Sequence, residues 1–553
     1  MLRIEVNSYV LDLLENAELE MNAESPFLDY KKMQGTYGFT LNVPGTTTNK
    51  KAFNFPDHLD TQDFKYFTLQ PIKVYVEDIF LFNGVAKITG VRGNLHSSNA
   101  SYTLAIGTEL GNLGDGLLNR SLRTFDLGTI TSGTGSSYQS YWETLRNSMN
   151  LQDSSTSNYC AYPVYNHTVP SAVGSFTNLP HFTSEGNYPI TDHNFHPYLI
   201  FVIKSVFSQL GYNLKIESIL ADRDFLQLTI VIVNYFYSNP AWVAGYMPNA
   251  KVSELLNSLR SLFNAGIFIQ KSSKQVRVVT YNDICNSSKI IDITSKVLTE
   301  FEYEPNTFDG FSFKQTIDPH DIVSHPDDVD YTQHTTIGEA NKFTSLPAAN
   351  GNPLNNRIVH NEVAIYTEEL PTRKLLQRNY TAYKSGNAKL EVESPASASA
   401  MIMYDVSLHP YVSPPQGWTP PRFLLPHLVP ATAYGHSALR YAFYRGLQPA
   451  SNGQNYALGT SGMHNWDGNP CGTWHLGWAG ANGLYEKFWK LMFTHRSRWP
   501  YKIKFKVNLN YNDIIELDLA ARYRIGTAEY IIASINYKLP LKEACDIKFF
   551  RIK

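Results

Sequence analysis

Along residues 1–128 apolar and polar positions alternate, in "VLDLL", "AELEMNA", "YGFTLNV", "PIKVYVEDIFLFNGVAKITGV" and "SYTLAIG". A period of two places one set of side chains on each face of a strand, so this stretch is expected to form an antiparallel, barrel-like domain. Within "LFNGVAKI", Asn83 and Gly84 accept the positive φ of a type I′ turn, which predicts a hairpin from Phe80 to Ile88. Residues 129–196, with "TSGTGSS", "DSSTSN" and scattered prolines, read as an irregular extended connection.

The period then changes. In "HPYLIFVIKSVFSQLGYNL", Leu199, Ile203, Val206, Phe207 and Leu210 keep helical spacing, with Pro197 near the start and Gly211 just past the end. A second helix, "NAKVSELLNSLRSLFNAG", lines up Val252, Leu255, Leu256, Leu259, Leu262 and Phe263, with Asn249 as the expected cap and Gly266 as the stop. The strand-like runs "LQLTIVIVNYF", "IFIQ" and "QVRVVT" would complete an inserted α/β unit over 197–285. Strand texture returns over 286–385, in "IIDITSKVLTEFEYEP" and "FDGFSFKQTI", as the first part of a second barrel. Residues 386–497 form a proline- and tryptophan-rich insertion, and alternating strands over 498–553 close that barrel. The fold class expected is therefore mainly β (α+β), with two tube-like barrels, an inserted α/β unit and an aromatic insertion in the second barrel.

Near the end of the insertion, "WAGANGLYEKFWKLMFT" reads as a short helix with Asn482 as cap. Leu484, Tyr485, Phe488, Trp489 and Met492 follow i, i+1, i+4, i+5, i+8, while Glu486, Lys487 and Lys490 lie opposite. Burying those five side chains contributes about 1.5 to 3 kcal/mol each, the scale of a helix clamped to a barrel rather than of a selective pocket. Leu484, Tyr485, Phe488 and Trp489, with Leu255, Leu256 and Leu259, are the packing residues expected.

Composition narrows the function. In 553 residues, 47 Lys and Arg face 49 Asp and Glu, and a formal charge of -2 predicts no general attraction to nucleic acid or anionic lipid. Charged residues make up 17%, below the roughly 25% usual for soluble domains, while 35 Tyr and 30 Phe lift the aromatics to 13%. Aromatic-rich, charge-poor surface is what protein partners bury. Cys160, Cys285, Cys471 and Cys545 lie far apart with no CxxC pair, so free, mostly buried thiols are expected. No signal-peptide core opens the sequence and "LQLTIVIVNYF" is short of a membrane span, so a soluble chain without export signal or membrane insertion is expected.

No catalytic signature emerges: GxSxG, HExxH and P-loop patterns are absent, and "GNLGDG" lacks the strand-to-helix setting of a dinucleotide fingerprint. Non-enzymatic function without cofactor is expected. "DPHDIVSHPDDVDYTQH", from Asp318 to His334, offers N and O ligands but lacks the glycine and terminal glutamate of a calcium loop, so no metal site is assigned. "THRSRWPYK", His495 to Lys502, interleaves basic and aromatic residues as single-strand nucleic-acid grooves do, or is a polar entry to a strand. Trp466, Trp474 and Trp478 sit among glycines and are candidate glycan or partner contacts, or the core of the insertion.

Several of these blocks resemble a known family. "GTYGFTLNVPGTTTNKKAFNFPDHL", "HPYLIFVIKSVFSQLGYNL", "YMPNAKVSELLNSLRSLFNAGIFIQKSSKQVRVV", "LRYAFYRGLQPA", "WAGANGLYEKFWKLMF" and "RYRIGTAEYIIASI" are similar, in order, to tail proteins encoded by phages and prophages of Bacteroidota, which resemble the central hub of the tail tip or baseplate. The resemblance implies a structural virion protein with two tube-like barrels per subunit. A homotrimer would join the hexameric tail tube to a threefold tip spike, among distal tail and baseplate proteins. Its lumen would pass the tape-measure protein and then DNA without specific binding, which a near-neutral wall suits. The alternative is a receptor- or carbohydrate-binding tail protein that uses residues 408–480.

Overall fold

The alternation in the first hundred residues produces an antiparallel six-stranded sheet in the computed structural model, ordered Tyr9–Val10, Leu2–Val6, Gln70–Val76, Ile79–Asn94, Ser97–Thr108, Thr40–Pro44. The structure describes residues 2–28, 30, 36–38, 40–57, 68–94, 97–108, 119–130, 153–166, 176–177, 195–232, 241–270, 274–306, 310–316, 366–369, 374–375, 379–383, 389–405, 422–428, 439–449, 455–465, 469–478 and 480–553. The chain is mostly β, with a half-barrel sheet. Period two sets the faces: Leu2, Ile4 and Val6 are buried while Arg3 and Glu5 between them are not.

The hairpin turn does not fall at Asn83 and Gly84. Val76 pairs with Ile79, and the two residues between, Glu77 and Asp78, have φ of 50° and 64°, as a type I′ turn requires. Asn7 and Ser8, at 49° and 69°, make the same kind of turn between Val6 and Tyr9. Ile79–Asn94 instead runs through Gly84 as one strand. A Cβ at Gly84 would stand 2.5 Å from the Gly107 carbonyl oxygen, so this glycine marks close approach of a neighbouring backbone rather than a reversal.

A second, eight-stranded sheet is ordered Ile290–Asp292, Arg522–Ile525, Ala528–Leu539, Cys545–Arg551, Tyr501–Val507, Val297–Pro305, with Leu19–Glu24 and then Thr36–Gly38 added beside Ala528–Leu539. An amino-terminal strand thus completes a carboxy-terminal sheet, in a register running from Leu19 opposite Leu539 to Glu24 opposite Ser534. Ile4, Val74 and Leu104 of the first sheet share one hydrophobic cluster with Ile535, Ile547 and Phe549 of the second. Among the described residues neither sheet's pairing closes on itself: the first ends at Tyr9–Val10 and Thr40–Pro44, and the second ends at Val297–Pro305. One closing stretch expected to be strand is a helix, Tyr511–Ile515. The Asn510 side chain accepts the Asp513 N–H and Asp513 accepts the Asn510 N–H, each at 2.9 Å, and this reciprocal cap outweighs strand propensity.

A separate cluster holds the middle of the chain. The Leu199–Gln209 helix ends as its sequence indicates: Gly211 has φ of 80°, Tyr212 N–H donates to the Phe207 carbonyl, and Gly211 N–H donates to that of Ser208. The Val252–Phe263 helix keeps its stripe but not its expected ends. Lys251, not Asn249, precedes it, with its N–H on Glu254 Oε2 at 2.7 Å, and Asn264 at φ 48° stops it before Gly266, which lies in the Ala265–Gln270 strand. Leu228–Ile230 does not join the sheet of Asn213–Lys215, Gln275–Thr280 and Ala265–Gln270. It pairs with Leu439–Pro449, so residues of the α/β region and the aromatic insertion lie in one core.

Gly84→Val is expected to cost about 1 to 3 kcal/mol by forcing a branched side chain against the Gly107 carbonyl. Asp78→Gly, by contrast, should leave stability unchanged or raise it by up to about 1 kcal/mol, because glycine carries no penalty at positive φ. Urea denaturation of both variants checks this; a neutral Gly84→Val or a strongly destabilised Asp78→Gly would contradict the register.

Candidate interaction surface

Leu484, Tyr485, Phe488, Trp489 and Met492 are all buried, and so are Leu255, Leu256 and Leu259. Asn482 does not cap this helix; its carbonyl accepts the His475 N–H. Tyr485–Trp489 is a single π-helical turn that continues as the α-helix Lys490–Arg498. Asn282 Nδ2 donates to the Lys487 carbonyl at 2.7 Å and Asn264 Nδ2 to the Phe488 carbonyl at 3.0 Å, so side-chain amides from neighbouring elements serve acceptors at this irregular turn. Phe488 stands edge-on to Phe263 at 5.5 Å and to Trp474 at 5.3 Å, and Trp489 meets Phe313 at 4.8 Å and Tyr30 at 4.9 Å.

The tryptophans proposed as glycan contacts divide. Trp474 and Trp478 have no exposed surface: Trp474 is walled by Phe443, Phe488 and Phe263, with its Nε1 donating to Asp222, and Trp478 stacks on Phe313 at 4.6 Å. A ring sealed in a core cannot stack on a sugar, so these two are corrected to packing residues. Trp466 and the run from Asp318 to His334 lie outside the described residues. In the basic run from His495, Arg496 turns inward, buried with its guanidinium 3.1 Å from the Phe550 ring centroid, while Arg498 is exposed.

A buried arginine is likewise bonded within the chain. Arg445 donates to Asp224 Oδ1 at 2.5 Å, Gln227 Oε1 at 2.8 Å, and the carbonyls of Trp474 at 3.1 Å and Gly462 at 3.2 Å. Asp224 Oδ2 accepts from Thr473 N and Oγ1. Burial alone would raise the Asp224 carboxyl, but the Arg445 charge and the Thr473 hydrogen bonds outweigh it and hold it below its usual range. The pair ties three segments of chain together, an arrangement whose disruption costs more than its presence contributes. Two histidines are buried neutral: His196 Nδ1 accepts the Ile232 N–H and His475 Nδ1 the Gly477 N–H, and burial holds each down to about 3. Burial pushes the thiols the other way, Cys285 to about 12 and Cys471 and Cys545 to about 11, opposite to what a nucleophile requires.

The Val297–Pro305 strand differs from all of this. It is the end strand of the second sheet, bonded to Tyr501–Val507 on one side, with no strand on its other side among the described residues. Phe301 lies opposite Phe505 and Tyr303 opposite Ile503, on the face that continues to Ile547 and Phe549 in the core. Yet Phe301 is 56% exposed and Tyr303 53%, and the pairing with Tyr501–Val507 is irregular between Val297 and Phe301. Glu302 and Glu304 occupy the other face, opposite Lys504 and Lys502, and Glu304 bonds Lys502 and Lys548 at 2.6 Å each. "EFEYEP" announces a strand, but the sequence does not disclose that its aromatic face runs out beyond its cover.

No family model and no curated protein matches the chain. Among solved structures it is similar to the 43 kDa tail protein of prophage MuSo2 from Shewanella oneidensis, at 7% identity and a TM-score of 0.34, over 100% of this chain and 98% of that one. It is also similar to the tail protein from Neisseria meningitidis MC58, at 7% identity and a TM-score of 0.30, over 99% and 95%. Superpositions this loose carry neither a fold nor a function on their own.

Phe488→Ala is expected to cost about 3 to 5 kcal/mol in chemical denaturation, and a loss under about 1 kcal/mol would contradict the packing role. The pH dependence has a defined sign. His196 and His475 have folded pKa values depressed below the unfolded 6.5, so their contribution is complete above that pH and is lost as pH falls toward about 3. Across the middle of that window two such groups give a slope of about 2.7 kcal/mol per pH unit. Denaturation series between pH 7 and pH 4.5 measure it; a flat profile would contradict neutral burial of the two rings.

Proposed function

We propose that the chain is a structural component of a phage tail, the central hub of the tail tip or baseplate, acting as a homotrimer without enzymatic activity. The observation that carries this reading is the open Val297–Pro305 strand, whose aromatic face continues the core yet stays exposed. An open edge with apolar side chains is a template for another chain, and the features that blunt this one, Glu300, Glu302, Glu304, Pro305 and the pairing irregularity between Val297 and Phe301, restrict which chain it takes. Covering Phe301 and Tyr303 would contribute about 1.5 to 3 kcal/mol for each fully buried side chain, and a ring repeats that gain at every joint.

The ordered blocks shared with tail proteins give the edge its context. Each of the two sheets would curl into one tube-like cylinder, so that three subunits present six to the hexameric tail tube and threefold symmetry to the spike. Distal tail and baseplate proteins would pack outside, and the tape-measure protein and DNA would pass through the lumen. A net charge of -2 suits a wall that must not hold phosphates. The pairing of Arg445 with Asp224 deep in the core, and the burial of His196 and His475, suit a scaffold. The carbohydrate-binding alternative loses Trp474 and Trp478 to the core.

Electron microscopy of the purified chain at high concentration is expected to show threefold rings with a central channel. A strictly monomeric particle under those conditions would count against the hub.

A further inference from the structure

The geometry points to a strand-addition site on Val297–Pro305 that accepts an extended segment alternating lysine or arginine with apolar residues, and that rejects the same strand of a second copy. This rests on the reading of the chain as an assembly component and specifies the chemistry of the neighbour it takes.

The sheet itself supplies the template. On its inner side Val297–Pro305 is bonded to Tyr501–Val507, whose sequence is "YKIKFKV". Across that pairing Lys504 and Lys502 stand opposite Glu302 and Glu304, while Phe505 and Ile503 stand opposite Phe301 and Tyr303. Charge meets charge on one face and apolar meets apolar on the other. The outer side presents the same strand to whatever comes next. Glu304 is engaged by Lys502 and Lys548, but Glu300 and Glu302 are exposed and have no ion-pair partner among the described residues. The rings of Phe301 and Tyr303 pack edge-on to each other at 5.2 Å and remain more than half exposed. A second strand of the "YKIKFKV" type would supply a cation to Glu302 and cover both rings.

Self-pairing fails by the same logic. Residues directly opposite in a sheet share a face, so a register that sets aromatic residues against aromatic residues also sets glutamate against glutamate, which is destabilising. A one-residue slip removes that repulsion only by placing each carboxylate beside a Phe or Tyr ring on the face that should become dry. Two copies of this edge therefore do not zip together, a contact that would otherwise compete with productive assembly.

The test uses dilute, monomeric full-length chain and fluorescein-labelled peptides. YKIKFKV should bind saturably by fluorescence anisotropy and slow hydrogen exchange in residues 297–305, and YEIEFEV should bind at least tenfold more weakly. Methylating the peptide amides that face the edge should abolish binding, and Glu302→Lys, with circular dichroism confirming its fold, should shrink or invert the preference. Absence of YKIKFKV binding, equal binding of both peptides, or indifference to amide methylation would overturn the proposal. The result is separable from the hub reading, since ring formation is scored independently by microscopy of the chain alone.

Discussion

Six residues near the start of the chain, Leu19–Glu24, hydrogen bond along Ala528–Leu539 near its end, and the arrangement of both sheets depends on that pairing. Closing so long a loop is entropically costly, but the cost grows only logarithmically with length. The register protects itself: Leu19, Met21 and Ala23 face the core, and a slip by one residue would drive Glu20, Asn22 and Glu24 into it instead. With one flank of the second sheet occupied by this strand, the other flank ends at Val297–Pro305.

The middle of the chain is held by a different device. Two groups of ring contacts, each at 4.6 to 5.9 Å, meet the π turn at consecutive residues: Phe488 with Phe263 and Trp474 on the side of the Val252–Phe263 helix, and Trp489 with Phe313, which also stacks on Trp478, on the side of the Gly310–Gln315 strand. Around it the polar groups serve to fix geometry: Asn264 and Asn282 on carbonyls of the π turn, and Arg445 on Asp224 and two carbonyls. Among the described residues, strand 297–305 is a sheet edge with exposed aromatic side chains.

Much of this was legible in the sequence wherever one period dominated a long window. The stripes of the Leu199–Gln209 and Val252–Phe263 helices and the apolar face from Leu484 to Met492 are recoverable because each follows from side-chain geometry on a single element. Local chemistry misled where two meanings share a motif. Asn83-Gly84 carries turn residues, yet its glycine serves a neighbouring strand, while the real turn uses Glu77 and Asp78, of which only Asp is a frequent positive-φ residue and neither is glycine. At Asn510 the cap was present in the letters but hidden by strand-like surroundings. Long-range partners were invisible in principle. Nothing in "LQLTIVIV" indicates that Leu228–Ile230 pairs with a strand some two hundred residues away, and nothing in the glycine-flanked tryptophans separates a sealed ring from a sugar platform.

The functional account reduces to a claim about one edge: the aromatic face of Val297–Pro305 is exposed in the single chain because another protein strand completes it. Hydrogen exchange of the backbone amides in residues 297–305, compared between the isolated chain and the assembled tail particle, tests this most directly. Amides on the outer side of the strand should exchange quickly in the isolated chain and become strongly protected in the particle. Equal, rapid exchange in both would contradict the account.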